Sequence, residues 1–402
     1  MQFLLSAGEA SGDTYGAQLA EALGQLAPSS RFFGMGGEKM RASGCELLVH
    51  ANEVAVVGLV EVLTHLPGIR HRFKHLVAEA ARRKPDAAVL IDFPDFNLRL
   101  ARELHRLGIP VFYFVSPQIW AWRTGRVKQI KKYVRKMIVI FPFEQEFYRR
   151  HDVEVSYVGH PLAYAPPPQI TREDFAAQHK LDPQKQWIAL LPGSRRKEVR
   201  LNLPAMLQAA ELLQQQGDYE FILPVASTLN AEWLSEQLPT TGWSRPLGLR
   251  EKLQDNPASA AEISTEASRI HLTDNARATL MHARASVVAS GTATVEAALS
   301  GTPFVVVYRL APLTWLLGRR LVKLDTFAMA NLIAGEKVVP ELIQKDFTAT
   351  NVIRELKKLL PDGPDRQKMQ AALKMVQQRL HDSQTADPPA LRAAREVLAS
   401  LR

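Results

Sequence analysis

The chain has 402 residues, 46% apolar and 23% charged, which suits a folded globular protein of two domains and is too long for one ordinary core. Lys and Arg number 50 against 41 Asp and Glu, a net charge of +9 that favours nucleotides, nucleic acid or anionic lipid heads, although composition alone prefers a solvated surface with a small cationic excess. The single cysteine, Cys45, excludes a disulfide framework and a cysteine-based zinc site, and no stretch approaches the roughly 20 apolar residues that cross a bilayer.

The start, MQFLLSAGEASGD, has no basic leader. Its short apolar run enters a glycine turn, so it reads as a strand rather than a signal peptide, and a cytosolic protein is expected. Further apolar runs rich in Val, Ile and Phe predict strands at 31–35, 87–92, 111–116, 136–141 and 155–158. A second series falls at 187–191, 219–225, 285–290 and 304–308. Amphipathic helical stretches separate them. Strands that are apolar on both faces mark parallel sheets covered by helices, and the βα alternation occurs twice. Three prolines at 166–168 cannot sit in a central strand or a helix interior, so 160–172 is expected to be a semi-rigid linker. The polar, aromatic-free stretch 250–268 reads as a surface insertion, and 365–402 as two helices. The expected domains are 1–165, 170–350, and C-terminal helices 351–402 that pack back on the first domain or on a dimer partner. In open parallel sheets ligands sit beyond the carboxyl ends of the strands, so two such sheets facing across a linker make one cleft.

Several strand ends carry chemistry. After the first strand, Gly8 and Gly12 allow a tight turn, while Glu9, Ser11 and Asp13 suggest hydroxyl recognition; the segment does not match G-x-G-x-x-G. The stretch 54–66 is apolar and too short to span a membrane, and Arg70, His71, Arg72, Lys74 and His75 follow it. It suits either a lipid interface or a core helix. After the strand at 87–92 come Asp92, Pro94, Asp95 and Asn97. A carboxylate fixed there suits a general base, and Phe93 and Phe96 are expected to raise its pKa; the competing reading is a helix cap by Asp95 or Asn97. The run 123–136 holds seven basic residues and no acid, but no nucleic-acid-binding module is recognisable. In the second half, Gly193, Ser194 and Arg195, followed by Arg196 and Lys197, form a cationic turn without Walker A spacing. Ser290, Gly291, Thr292 and Thr294 form a glycine turn opening a helix, with Glu296 in reach of a ribose diol. Each is also readable as an ordinary turn or cap. Together they favour a diphosphate ligand. The absence of any Asp-x-Asp argues against a carboxylate-held metal.

In order along the chain, GEASGD, IDFPDFN, SPQIWAWR, FPFEQEFY, YVGHPL, LLPGSRRKEV, SGTATVEAALSGTP and MANLIAG resemble the lipid-A-disaccharide synthase family over about residues 1–350. The resemblance implies the GT-B fold of two Rossmann-like doubly wound α/β domains. It implies an inverting transfer from UDP-2,3-diacylglucosamine to 2,3-diacylglucosamine 1-phosphate (lipid X), giving a β-1′,6 disaccharide 1-phosphate and UDP. It further implies no cofactor and no metal, a homodimer, and peripheral attachment to the inner membrane of a Gram-negative-type bacterium, here expected through 54–75. The family's essential aspartate falls on Asp95, its UDP-binding arginine on Arg195 and its late asparagine on Asn331. Another GT-B UDP-N-acetylglucosamine transferase or epimerase is the alternative, as is a non-catalytic basic protein that binds a membrane surface.

Overall fold

The computed structural model describes residues 1–54, 59–238, 270–310, 326–381 and 386–401, and the side chains of 59–66 are outside that set. The chain forms two compact units. The first is built on Met1–Tyr164 and takes in Leu380–Arg402; the second is Ala165–Arg320 with Leu324–Arg379.

The first unit holds seven parallel strands: β1 (Gln2–Ala7), β2 (Arg31–Gly36), β3 (Cys45–His50), β4 (Ala87–Ile91), β5 (Val111–Phe114), β6 (Lys136–Val139) and β7 (Val155–Tyr157). Their spatial order is β3-β2-β1-β4-β5-β6-β7. Because β1, β4 and β5 are apolar at nearly every position, both faces need cover, and helices supply it. On one face Leu4, Leu90 and Tyr113 pack with Leu76 and Ala80 of helix Leu59–Arg83 and with Leu100 and Leu104 of helix Pro94–Arg106. On the other, Phe3, Leu5 and Val89 pack with Leu19 and Leu23 of helix Ala10–Leu26 and with Ala393 and Val397 of the last helix, Pro389–Ala399. The strand order reverses between β1 and β4, which opens a crevice at their carboxyl ends.

The second unit repeats the plan with six strands: β8 (Gln186–Leu191), β9 (Tyr219–Pro224), β10 (Ile270–Thr273), β11 (Ala285–Ala289), β12 (Phe304–Tyr308) and β13 (Glu341–Ile343). Their order is β10-β9-β8-β11-β12-β13, so the reversal lies between β8 and β11.

Ten strands fall where apolar runs predict them. Three do not: β3, β10 and β13, each at the edge of its sheet. The insertion expected at 250–268 lies outside the described residues, as does most of the stretch 54–66. Val54 is buried, and beyond the stretch Ile69 and Phe73 pack on the core while Arg70, His71, Lys74 and His75 are exposed. Among the described residues no helix is long and apolar enough to cross a membrane.

Gly34 shows how closely β1 and β2 approach. Its φ is +149°, and a Cβ there would lie 2.0 Å from the Leu5 carbonyl oxygen, a backbone atom that cannot swing away. Gly34→Ala is expected to destabilise the first unit by roughly 1–3 kcal/mol, read as a lower unfolding midpoint for that unit. An unchanged midpoint would mean that the two strands can separate at no cost.

Candidate active site

At the first reversal point, β4 runs into a sharp turn. Asp92 and Phe93 both adopt left-handed backbone conformations, with φ of 45° and 50°, and Pro94 then opens helix Pro94–Arg106. Two consecutive non-glycine residues in this region store strain of order 1–3 kcal/mol each, which the surroundings must hold. Asn97, fully buried one turn into the helix, supplies the restraint. Its Nδ2 donates to the carbonyls of Asp92 at 2.8 Å, Ile91 at 3.1 Å and Ser6 at 3.2 Å, and its Oδ1 accepts from Ser6 Oγ at 2.7 Å. Tyr113 OH donates a second bond to the Asp92 carbonyl at 2.6 Å. Neither Asp95 nor Asn97 caps the helix: the N-cap is Phe93, which has no side-chain cap bond.

Asp95 stands in the first helical turn, where the dipole favours a carboxylate. Its side chain is 69% exposed and accepts from Arg123 Nη1 at 3.0 Å and from Arg126 Nη2. Burial pushes its pKa up, but the Arg126 and Arg123 guanidiniums overcome this and hold the carboxyl below its ordinary value. The expected elevation by Phe93 and Phe96 is therefore corrected, because two cations outweigh two rings. Arg123 lies over the Trp122 ring at 4.0 Å. The segment that carries both arginines is anchored from below: Trp120 Nε1 donates to Glu144 at 3.1 Å, and Ser116 Oγ meets Tyr148 OH at 2.7 Å. The basic run was visible in the sequence; its pairing with Asp95 was not.

The turn after β1 is partly reassigned. Gly8 is needed because a Cβ would fall 2.2 Å from the Phe93 ring. Gly12 is not a turn residue: it sits inside helix Ala10–Leu26, where a Cβ would be 3.3 Å from Ala7. Asp13 is buried, and its carboxylate accepts from the amides of Gly37 at 2.7 Å, Met40 at 3.1 Å and Lys39 at 3.1 Å. It caps helix Glu38–Ala42 and so does not read a hydroxyl. Glu9, the N-cap of helix Ala10–Leu26, and Ser11 remain exposed beside the crevice.

At the second reversal point the two predicted turns lie on adjacent strands, β8 and β11. After β8, Gly193 has a φ of +127°, and Ser194 and Arg195 lead into helix Arg196–Gln214. Glu198 Oε2 accepts from the amides of Ser194 at 3.0 Å and Arg195 at 3.3 Å, so a carboxylate already occupies this helix start. What the turn offers an anion is the exposed Arg195 side chain, which approaches Glu198 at 3.5 Å. Arg196 lies over Trp233 at 5.0 Å. Asn202, fully buried, donates to the Pro192 carbonyl at 2.9 Å and accepts from the Arg309 amide at 3.2 Å.

After β11 the turn is open. Gly291 is exposed with a φ of +145°, and a Cβ there would meet nothing within 4 Å. Hydrogen bonding in helix Ala293–Ser300 starts at the amide of Thr294, as expected for a helix start whose earlier N–H groups point outward. Thr294 Oγ1 is turned inward to the Gly291 carbonyl at 2.7 Å, so this hydroxyl shapes the turn and is not presented to a ligand. Ser290 Oγ donates to the Phe327 carbonyl at 3.1 Å. Burial pushes the Glu296 carboxyl up, opposed by the field of Arg277, and no described side chain donates a hydrogen bond to it. Asn331 is buried with its amide fully engaged: it donates to Glu341 at 2.8 Å and the Val339 carbonyl at 3.0 Å, and accepts from the amides of Val338 at 2.8 Å and Val339 at 2.9 Å. Glu341 in turn accepts from the amides of Phe327 at 2.9 Å and Ala328 at 2.9 Å. Asn331 and Glu341 thus fix the loop that Ser290 leans on, so Asn331 can serve a ligand only through that loop. Among the described residues no group of three or more His, Cys, Asp or Glu side chains is placed to hold a metal ion.

A model of the lipid-A-disaccharide synthetase family matches residues 3–241 and 230–394. A lipid-A-disaccharide synthase of Koribacter versatilis is 51% identical over 399 residues, covering 99% of this chain and 98% of the relative. One from Acidobacterium capsulatum is 52% identical over 377 residues, covering 94% and 91%. Among solved structures, the chain is similar to the calicheamicin glycosyltransferase CalG4, with a TM-score of 0.56 and 16% identity over 100% of this chain and 98% of that one. It is also similar to a UDP-GlcNAc 2-epimerase from Neisseria meningitidis bound to UDP-GlcNAc, with a TM-score of 0.58 and 12% identity over 100% and 99%. At such identities these structures establish the shared fold alone.

The anchor beneath the arginines has a pH signature. Burial pushes the Glu144 carboxyl up to about 8 from an ordinary 4.5, against the pull of its bonds from Trp120 and the Phe141 amide. Between those two values the folded chain holds a proton that the unfolded chain has released, so stability falls as pH rises through this window. Glu144→Gln should remove that component, which equilibrium unfolding of the first unit at several pH values would measure. An unaltered slope in the variant would contradict the assignment.

Proposed function

The chain belongs to the lipid-A-disaccharide synthase family, and on that premise we propose that it transfers the diacylglucosamine of UDP-2,3-diacylglucosamine to the 6-hydroxyl of 2,3-diacylglucosamine 1-phosphate. The protein is a glycosyltransferase that forms the lipid A disaccharide. The observation that carries this reading is the identity of about one residue in two with a named synthase across 99% of the chain. It favours the transferase over the epimerase reading, which only fold-level likeness supports. The direct test is UDP release by the purified protein, expected only when donor and acceptor are both present. UDP-sugar turnover without acceptor would overturn it.

The donor sugar is α-linked to UDP and the product is β-linked, so the reaction is one displacement at C1′ with inversion. The acceptor hydroxyl is a poor nucleophile until its proton is taken, and we assign that step to Asp95. Its exposure and its place beyond β4 support the role, and the arginines keep it in the ionised form that can accept a proton. Glu9 and Ser11, with the Gly8 turn, follow the neighbouring strand β1 and are assigned to the acceptor sugar. For UDP we assign the Gly193–Ser194–Arg195 turn and the helix start at Ser290, Gly291 and Thr292. Outward N–H groups and the Arg195 guanidinium meet the diphosphate there. Glu296 is assigned to the ribose diol, since a half-buried carboxylate to which no described side chain donates is suited to accept from hydroxyls. Both substrates carry acyl chains, which supports peripheral attachment at the inner membrane through 54–75, and the family resemblance supports a homodimer.

Arg195→Ala should weaken UDP binding roughly tenfold or more, the loss of one charge-assisted phosphate contact, with Arg195→Lys restoring only part. Unchanged affinity by calorimetry would move the diphosphate elsewhere. Asp95→Asn should lower kcat at least about a hundredfold while leaving UDP affinity nearly unchanged. Near-normal turnover in that variant would transfer the role to another carboxylate. Turnover is expected to survive EDTA, because arginine and helix-start amides meet the leaving diphosphate; a complete loss reversed by Mg²⁺ would contradict that assignment.

A further inference from the structure

Arg123 and Arg126 converge on one atom, Asp95 Oδ1, with Arg123 Nη1 at 3.0 Å. Two guanidiniums thus share one carboxylate oxygen. Each guanidinium has five N–H donors, and among the described residues neither arginine side chain donates to any acceptor other than Asp95. Two further acids lie nearby: Glu144, which is buried and bonded to Trp120 and the Phe141 amide, and Asp92 at the start of the turn. The Trp122 ring lies 4.0 Å from the Arg123 guanidinium and packs against it. The pair therefore has donors to spare at the mouth of the β1–β4 crevice, more than holding one carboxylate requires.

We infer that Arg123 and Arg126 bind the 1-phosphate of the acceptor, and that Asp95 occupies their forks until that phosphate displaces it. This rests on the function proposed above. A phosphate monoester presents several oxygens to two planar forks and carries more charge than the carboxylate it replaces, so the exchange is favourable. The covalent geometry of the acceptor fits. C1, which bears the phosphate, and C5, which bears the 6-hydroxymethyl group, are both bonded to the ring oxygen. Phosphate on the arginines thus brings the 6-hydroxyl to the Asp95 side of the same sugar. Once released, Asp95 loses the partners that stabilise its anion and becomes a stronger base. The step then balances: the 6-hydroxyl proton passes to Asp95, the O6–C1′ bond forms, and the C1′–O bond breaks with its electron pair leaving on UDP. The arginines so couple acceptor recognition to activation of the base, and a hydroxyl compound without the phosphate finds Asp95 still held.

The test compares two acceptors, 2,3-diacylglucosamine 1-phosphate and the same compound without its phosphate, on the wild-type chain, Arg126→Gln, Arg126→Lys and Arg123→Gln. For the phosphorylated acceptor kcat/KM should fall roughly tenfold or more in the Gln variants, with partial rescue by Lys. For the dephosphorylated acceptor, already poor with the wild type, the same substitutions should lower nothing and should raise kcat/KM, since they loosen the hold on Asp95. Binding of both acceptors in detergent micelles should show the same contrast without depending on turnover. Equal losses for the two acceptors would mean that the arginines only position Asp95, and would overturn the inference while leaving the proposed function intact. Absence of UDP release from the wild-type chain with either acceptor would instead sink the proposed function.

Discussion

A parallel strand that ends in a ligand-binding turn strands its last carbonyls, since the ladder that would have paired them has stopped. In each unit one fully buried asparagine, on the helix that follows the strand, answers this demand. Asn97 gathers three carbonyls from the ends of β1 and β4 and accepts from Ser6. Asn202 holds the Pro192 carbonyl after β8 and the Arg309 amide after β12. An unpaired buried carbonyl costs about 1–3 kcal/mol, so these bonds decide whether the two reversal points can exist as shaped. In the first unit the left-handed pair Asp92–Phe93 depends on the same side chain, and the direction in which Asp95 leaves the sheet depends on that pair.

Charge is distributed by the same economy of helix starts. Three carboxylates sit on backbone amides at such starts or in the loops before them: Asp13 over 37–40, Glu198 over 194–195, and Glu341 over 327–328. Each neutralises local amide dipoles and so closes that position to an outside anion. Among the described residues the Gly291–Thr292 start has no such carboxylate, and nothing lies within 4 Å of a Cβ built on its glycine. This contrast argues for a division of labour in UDP binding, with amides contributing at 291–293 and a guanidinium at Arg195. Glu296, one turn further along, is the carboxylate left over for a neutral, hydroxyl-bearing group.

The central strands and the ligand turns were legible because both are local. An apolar run buried on two faces announces itself, and a Gly-Ser or Gly-Thr step after it marks the strand end. The missed strands are all at sheet edges: Cys45–His50 is only intermittently buried and Glu341–Ile343 has one buried position, while Ile270–Thr273 is buried throughout but its apolar run is broken by His271 and Thr273. Residue roles were less legible, because they depend on partners distant in sequence. Asp13 looked like a ligand-facing acid until the amides of 37–40 closed over it. Asn331 looked like a contact residue, but its amide is spent on 338–341. Asp95 sat between two phenylalanines in the sequence, yet its environment is set by Arg123 and Arg126, about thirty residues on. The basic run at 123–136 held that signal, and nothing local said which acid it would meet.

The bond that the protein makes is the most direct measure of its function. Purified protein, UDP-2,3-diacylglucosamine and 2,3-diacylglucosamine 1-phosphate should yield a single disaccharide 1-phosphate, and its proton and carbon NMR spectra should give the anomeric configuration and the linkage position. A β-1′,6 linkage is the predicted result, as one displacement driven from Asp95 with UDP as the leaving group requires. An α-linked disaccharide, or transfer to any hydroxyl other than the 6-hydroxyl, would contradict it.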